Sequence, residues 1–485
     1  MARKNKLKVL IVASEVSPYV KSGGLGDVMG SLPVALAGIG VDARVCLPLY
    51  SSMGRGGCNY IASFDIDLGW RKQSASIYEI KDASVPTYAV ENDFYFGRDG
   101  LYGYGDDHER FAFFSKASIE LLNFIDFIPD VIHFNDWQTA IGCVYLKDIY
   151  SRFVFFKNIK TLFTIHNLQY QGLYNRYDLS RLDLNDGYFV SDKFEFFNNI
   201  CLMKGGIVYA DAISTVSPTY SYEIQTPAYG HDLDGVLRQH SGKLHGILNG
   251  IDMQSFDPST DGNIPFNFSN NDEVRYILDK KRQNKAALQE RLGLDVTDAP
   301  MFAIISRLVD QKGLGLVSII MEELLSRGAQ LVVLGTGDGH YEHLFKHFAW
   351  RFPQQVSANI FFSDELARNI YASADLFLMP SMFEPCGLGQ LFAMRYGTIP
   401  IVRNTGGLVD TVQHFSVAQG NGNGFVFNDY IASGLMWAIN EALHVFYNDK
   451  KAWGRLVKNA MGCDFSWGTS AEQYKELYAS LKKLY

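Results

Sequence analysis

Arg307 and Lys312 stand five residues apart in Ser306-Arg307-Leu308-Val309-Asp310-Gln311-Lys312-Gly313, just past an apolar run that reads as a buried strand. A guanidinium that grips two oxygens and a mobile ammonium suit a diphosphate, and they offset the charge that builds on a departing phosphate. Glu384 lies in Phe383-Glu384-Pro385-Cys386-Gly387-Leu388-Gly389, again just past a strand pattern. A carboxylate held between a ring and a proline, beside glycine-turn N–H groups, can orient sugar hydroxyls or stabilise an oxocarbenium charge. His166-Asn167 closes the apolar run Thr161-Leu162-Phe163-Thr164-Ile165. The plainer readings are two solvated cations, a loop acid and a hydrogen-bonded core histidine.

Two glycine-rich loops bracket these residues, Lys21-Ser22-Gly23-Gly24-Leu25-Gly26-Asp27 and Thr405-Gly406-Gly407-Leu408-Val409-Asp410. Each follows an apolar run and leads into helical spacing, the arrangement in which bare N–H groups and a helix dipole hold an anion. The rival reading of either loop alone is a turn that needs positive φ.

Three further patterns read as decoys. His340, His343 and His347 share one helical face, but the helix also carries Leu344, Phe345 and Phe348 and there is no matching ligand cluster elsewhere, so a packed helix is preferred to a zinc site. Asp65-Ile66-Asp67 lies in an alternating strand with its acids facing out, and Gly335-Thr336-Gly337-Asp338-Gly339 lacks a full dinucleotide fingerprint and reads as a turn.

These groups need scaffolding, and a chain of 485 residues predicts at least two domains. A net charge of -8 without a basic stripe argues against nucleic acid as a partner, and no apolar run is long enough for a membrane span. The six cysteines are scattered with neither metal-ligand nor redox spacing, which fits a reduced cytoplasm. The basic start, Met1-Ala2-Arg3-Lys4-Asn5-Lys6, precedes a run that soon meets Ser14-Glu15, so a buried first strand is preferred to a signal peptide. Apolar runs at 8–13, 43–47, 131–134, 161–165, 301–305, 330–334, 375–379 and 398–402 alternate with helix-length segments. That pattern predicts an α/β fold of two doubly wound, Rossmann-like domains, with ligands at the carboxyl ends of the strands. A turn-rich stretch from Leu248-Asn249-Gly250-Ile251-Asp252 onward marks the boundary, a charged helix over 273–294 ends at Gly293, and 470–485 reads as a helical tail.

Together these segments carry a resemblance. Lys21-Ser22-Gly23-Gly24-Leu25-Gly26-Asp27-Val28, Asn135-Asp136-Trp137-Gln138-Thr139, Phe163-Thr164-Ile165-His166-Asn167-Leu168, Lys204-Gly205-Gly206 and Thr215-Val216-Ser217-Pro218-Thr219-Tyr220 carry it in the first half. Leu248-Asn249-Gly250-Ile251-Asp252, Ser306-Arg307-Leu308, Gln311-Lys312-Gly313, Phe383-Glu384-Pro385-Cys386-Gly387-Leu388 and Thr405-Gly406-Gly407-Leu408 continue it. In this order they resemble the bacterial glycogen synthases and plant starch synthases, which transfer glucose from a nucleotide sugar to an α-1,4-glucan.

The resemblance implies the two-domain GT-B architecture, with domains over 1–248 and 249–466 facing across a cleft and a helical segment over 467–485 crossing back to the first. It implies that Lys21 with the Gly23 and Gly24 backbone approaches the donor, that Arg307 and Lys312 hold the diphosphate, and that Glu384 lies against the donor glucose. Cys386, Gly387 and Leu388 would offer backbone N–H groups, Thr405, Gly406 and Gly407 would face the phosphates, Asn249 would sit at the hinge side, and Phe362 would stack on the base. His166 would line the reaction centre, with Asp136 and Asn167 near the incoming chain. Tyr95, in the aromatic segment 94–105, would lie on an oligosaccharide or belong to an ordered structural loop. Several positions depart from the family pattern: Ser22 replaces a common Thr, Gln138 a His, Met382 an Arg, Gly389 a Thr and Phe362 a Tyr. The expected substrates are ADP-glucose and an α-1,4-glucan, with no cofactor or metal, no nucleic acid and no membrane. The expected location is the cytoplasm, or a plastid for a plant chain, although no transit peptide is read here. Retention of the α-configuration allows double displacement or same-face attack, and the motifs hold no second carboxylate that pairs with Glu384, which favours same-face attack.

Overall fold

The computed structural model describes residues 6–483, so the basic residues before Lys6 and the last two of the helical tail lie outside the described residues. The chain divides into two compact units: one carries it up to Gly250 and takes it back from Trp467 onward, and the other is Ile251–Ser466.

The first unit is built on a nine-stranded sheet. Its strands are β1 (Lys8–Val12), β2 (Asp42–Pro48), β3 (Cys58–Leu68), β4 (Arg71–Ile80), β5 (Thr87–Glu91), β6 (Val131–Asn135) and β7 (Lys160–Ile165). A small antiparallel sheet of β8 (Leu173–Asn175), β9 (Glu195–Phe196) and β10 (Asn199–Cys201) precedes the last two, β11 (Ala212–Thr215) and β12 (Leu244–Gly246). The large sheet runs β12-β11-β7-β6-β1-β2-β5-β4-β3. Val9, Leu10, Ile11 and Val12 are fully buried at its centre, as a strand covered on both faces requires. The sheet is parallel except at one edge, where β4 pairs antiparallel with both β5 and β3. Strand β3 is the alternating segment around Asp65 and Asp67, whose acids are exposed while Ile66 and Leu68 are buried.

The C-terminal helix Gly468–Lys482 belongs to this unit. Its Tyr478 hydroxyl lies 2.8 Å from Nδ1 of His133 on β6, and Nε2 of that ring lies 2.5 Å from Thr164 Oγ1 on β7. Burial pushes the His133 pKa down to about 3, so the imidazole is a neutral hydrogen-bonding tie between helix and sheet.

The second unit holds a six-stranded parallel sheet ordered β15-β14-β13-β16-β17-β18. Its members are β13 (Met301–Ile305), β14 (Gln330–Leu334), β15 (Val356–Asn359), β16 (Leu376–Met379), β17 (Ile399–Arg403) and β18 (Phe425–Phe427). The charged segment after the boundary forms the helix Val274–Leu292, stopped by Gly293 at φ 71°. Its Lys281 is buried and donates to the carbonyls of Ala372 and Tyr396 and to Thr398 Oγ1, satisfying acceptors where two other helices end. No helix among the described residues is long and apolar enough to cross a membrane.

Candidate active site

Each unit presents a polar cluster at the carboxyl ends of its strands. In the second unit, Lys312 closes a short 3-10 turn, Asp310–Lys312, after β13. Gly313 follows at φ 70°, and a Cβ there would lie 1.9 Å from the Pro380 carbonyl oxygen, so only glycine lets this turn press on the chain leaving β16. The consequence is an ion pair: Lys312 Nζ lies 2.6 Å from Glu384 Oε2, with the Glu384 side chain 6% exposed. Ser381 Oγ donates to the same oxygen at 3.0 Å.

The loop bearing Glu384 is fastened from three sides. Gln311 Nε2 donates to the Phe383 carbonyl at 3.2 Å, Gly407 N–H donates to the Glu384 carbonyl at 3.0 Å, and Arg403 donates to the carbonyls of Ser381 and Met382. The glycine loop after β17 therefore sits directly on the glutamate loop. A Cβ on Gly407 would lie 2.3 Å from the Cys386 carbonyl oxygen. Gly387, at φ 73°, turns the chain into the helix Gly389–Arg395, and neither that helix nor Gly407–Thr411 has a side-chain cap on its first N–H groups. Thr405 is fully buried, Leu388 is half-buried, and Arg307 is exposed at the end of β13. Phe362 is exposed beyond β15, at the opposite edge of this sheet from β18.

In the first unit, the loop after β1 leads into the helix Gly24–Gly38, with Gly23 as its N-cap. The buried carboxylate of Glu15 accepts hydrogen bonds from the Ser22 backbone N–H, from Ser22 Oγ at 2.7 Å and from the Tyr102 hydroxyl at 2.6 Å. Lys21 Nζ lies 3.2 Å from Asp27 Oδ1. Gly23 is extended, at φ -169°, and a Cβ there would meet nothing within 4 Å. The turn reading of this glycine therefore lacks a steric basis.

Beyond β6 and β7, Asp136 and His166 form a second group. Asp136 begins the helix Asp136–Val144 at φ 58°, a left-handed conformation that costs energy for a non-glycine residue. Its Oδ1 accepts the N–H groups of His166 at 2.8 Å and Asn167 at 3.4 Å, which ties the ends of the two strands together. Burial pushes the Asp136 pKa up to about 7, and the two N–H bonds oppose that shift. Nε2 of His166 lies 2.9 Å from Asn135 Oδ1, while the Asn135 amide donates to the carbonyls of Val12 and His133. With Oδ1 left as acceptor, Nε2 of His166 carries the proton. Burial lowers the His166 pKa to about 3, so the ring is neutral and its working groups are hydrogen bonds rather than a titrating base. Asn249 is buried, and its Oδ1 has no hydrogen-bond partner.

One expectation is corrected. Tyr95 is fully buried in the short helix Asp93–Phe96, packs edge-on to Phe94, and donates its hydroxyl to Glu109 Oε1 at 2.6 Å. It is a core residue without a face for an oligosaccharide; the exposed ring of that turn is Phe94. Glu15 and Arg403 escaped the sequence reading. Arg403 ends β17 and Glu15 lies three residues past β1, each a charge just before a glycine loop, and that position was the available signal. The decoy histidines His340, His343 and His347 are exposed on the helix Gly339–Arg351, while Tyr341, Phe345 and Phe348 face the core.

The chain as a whole has counterparts among known proteins. Residues 8–239 match the family model for the starch synthase catalytic domain, and residues 288–460 match that for glycosyl transferases group 1. A glycogen synthase of Clostridium acetobutylicum is 50% identical over 481 residues, covering 98% of this chain and 100% of its own. One from Desulforamulus reducens is 48% identical over 480 residues, covering 98% and 99%. Among solved structures, the catalytic domain of starch synthase IV from Arabidopsis thaliana bound to ADP and acarbose superposes with a TM-score of 0.91. It is 34% identical and covers 98% of this chain and 99% of its own. A sucrose-phosphate synthase from Thermosynechococcus elongatus shares the fold, with a TM-score of 0.62 at 17% identity over 98% and 99%.

Proposed function

The chain belongs to the glycogen synthase and starch synthase family of glycosyltransferases, and from that premise we propose that it moves glucose from ADP-glucose to the 4-OH at the non-reducing end of an α-1,4-glucan, with retention of configuration. The observation that carries the assignment of roles is the pair at 2.6 Å between half-buried Lys312 and buried Glu384, seated under the Gly407 loop at the carboxyl ends of β13, β16 and β17.

Donor binding falls to the second unit. Arg307 and Lys312 take the diphosphate, and the loop of Thr405, Gly406 and Gly407 faces the phosphates, held in place by the Thr405 and Gly407 N–H groups donating to the Arg403 and Glu384 carbonyls. Glu384 faces the glucose, flanked by the backbone of Cys386, Gly387 and Leu388, and Phe362 offers its exposed ring to the base. From the first unit, Lys21 with the amides of Gly23 and Gly24 approaches the phosphates and sugar, and Asn249 contributes its unpartnered Oδ1. Asp136, His166 and Asn167 serve the reaction centre and the incoming chain.

In the reaction the bond from the anomeric carbon to the diphosphate oxygen breaks, and the acceptor 4-oxygen attacks from the same face. The departing phosphate oxygen takes the proton of the 4-OH, and Arg307 and Lys312 absorb the remaining negative charge. Burial that holds the His166 pKa near 3 makes its imidazole a weak base, which supports this route over one that needs an imidazole base.

The test is incubation of the purified protein with glycogen and labelled ADP-glucose or UDP-glucose, followed by counting label in precipitated polymer. Incorporation from ADP-glucose is expected. Release of free glucose without polymer growth, or incorporation from UDP-glucose alone, overturns the reading.

A further inference from the structure

At the β18 edge of the second sheet lies a cavity of about 470 Å³, within the size range of small-molecule clefts. It shares no residue with the groups assigned above. The diphosphate residues follow β13, β16 and β17, and Phe362 lies beyond β15 at the far edge; the cavity lies on β18, where Arg403 and Asn404 of the neighbouring strand end bond the carbonyls of Asn428 and Phe427 while His414 and Trp437 form its outer side.

Two stacked rings line it. His414 stacks on Trp437 of the helix Ala432–Asn448, with centroids 5.5 Å apart and planes 17° from parallel. The His414 ring is fixed twice more: Val426 N–H donates to its Nδ1 at 3.1 Å, and Phe425 meets it edge-on at 5.6 Å and 89°. With Nδ1 accepting, Nε2 carries the proton and is a donor. Both rings are exposed, and Trp437 keeps 49% of its surface open although indole is the most costly side chain to leave in water. Asn428 and Asp429, both exposed, line the same cavity.

We propose that this cavity is a second carbohydrate site, which binds glucosyl units of the α-glucan polymer away from the point of transfer. The identity of the ligand rests on the glucan synthase reading above. A pyranose ring has apolar C–H faces that lie on aromatic planes and a rim of hydroxyls that meets carboxylate, amide and imidazole N–H groups, the set gathered here. None of the lining residues is Lys or Arg, and Asp429 contributes a negative charge. A neutral polyol therefore fits where a nucleotide or sugar phosphate does not. For a polymeric acceptor, a second grip makes each re-engagement of a chain end intramolecular, raising its effective concentration without altering the chemistry.

The test uses the full-length protein and its Trp437→Ala and His414→Ala variants, each checked for a parental melting temperature. Migration is measured in native gels cast with and without glycogen, and kinetics are measured with maltotriose and with glycogen as acceptors. The parent is expected to be retarded by glycogen, and each variant to lose that retardation. The KM for glycogen should rise at least about threefold, with kinetics on maltotriose and ADP-glucose unchanged. Undiminished retardation and an unchanged glycogen KM in both variants overturn the proposal, as does a parallel loss of maltotriose activity, which marks a structural role. Binding of ADP at Trp437, seen as protection lost in Trp437→Ala alone, also overturns it. If Trp437→Ala does not fold, His414→Ala decides, because it removes one ring and leaves the helix side chain in place. A parent that is retarded by glycogen yet incorporates no label would defeat the transferase reading and leave this site standing.

Discussion

The two glycine loops look alike in sequence and are built for different contacts. At Gly407 the glycine is required by the protein: a side chain would drive into the Cys386 backbone, and the loop is bonded through its own N–H to Glu384. At Gly23 the fold demands nothing, since the backbone is extended and the space before it is open. The first loop is instead held from behind by the Glu15 carboxylate through Ser22. One glycine lets two protein loops touch, and the other has no protein atom but its chain neighbours within 4 Å of where a Cβ would stand. A shared motif thus divides into a packing position and an open one, and the open one is where the proposed function brings the donor.

The largest expected effect removes the cation on which the second loop system centres. Lys312→Ala leaves Glu384 buried with Ser381 as its remaining side-chain donor among the described residues, and takes away the positive charge that the proposed function sets against the leaving group. The turnover number should fall by about 10²-fold or more, the scale of losing one such donor. Near-parental kcat at saturating donor would remove Lys312 from the chemistry and reduce the pair to a structural tie.

Substitution at the two glycines then sharpens the contrast. Gly407→Ala forces the Cys386 and Gly407 backbones apart and should cost about 1–3 kcal/mol of stability, with a drop in Tm of a few degrees and a loss of donor affinity. Gly23→Ala should leave stability within about 0.5 kcal/mol of the parent, as for a surface substitution, while kcat/KM falls about tenfold or more. Thermal melts and donor kinetics on both variants decide it. Equal losses of stability would erase the distinction, and an unimpaired Gly23→Ala enzyme would show that no ligand uses the open space.

Legibility from sequence followed the same division. Long apolar runs carried both sheets, because strands buried on two faces have no polar positions to blur the pattern: 301–305 and 330–334 are strands residue for residue. Gly293 marked a helix end because a left-handed cap excludes most other residues. Tyr95 was misread because a run of aromatic residues says nothing of which ring turns inward; Glu109, fourteen positions away, receives its hydroxyl. Glu15 and Arg403 were missed for a related reason. Arg403 donates to backbone carbonyls, which leave no trace in residue type, and Glu15 draws together a backbone N–H, the Ser22 hydroxyl and the hydroxyl of Tyr102, eighty-seven positions away.

Asp136 gives the smallest effect and extends the comparison, because the first unit again places its loop with a carboxylate, here a half-buried one. In the folded chain its pKa rises from 3.8 to about 7, chiefly through burial. Between those values the folded state binds a proton that the unfolded state has released, so this group's contribution to stability declines as pH rises from 3.8 to about 7 and stays low above it. Asn at this position keeps an oxygen for the His166 and Asn167 N–H groups and tolerates the left-handed backbone, but carries no charge. Asp136→Asn should therefore melt a few degrees above the parent at pH 8, with the advantage shrinking steadily toward pH 4. Melting curves across that range provide the measurement. A difference independent of pH would mean that the carboxylate is not desolvated, and that the strain at Asp136 is sustained by contacts other than its two backbone bonds.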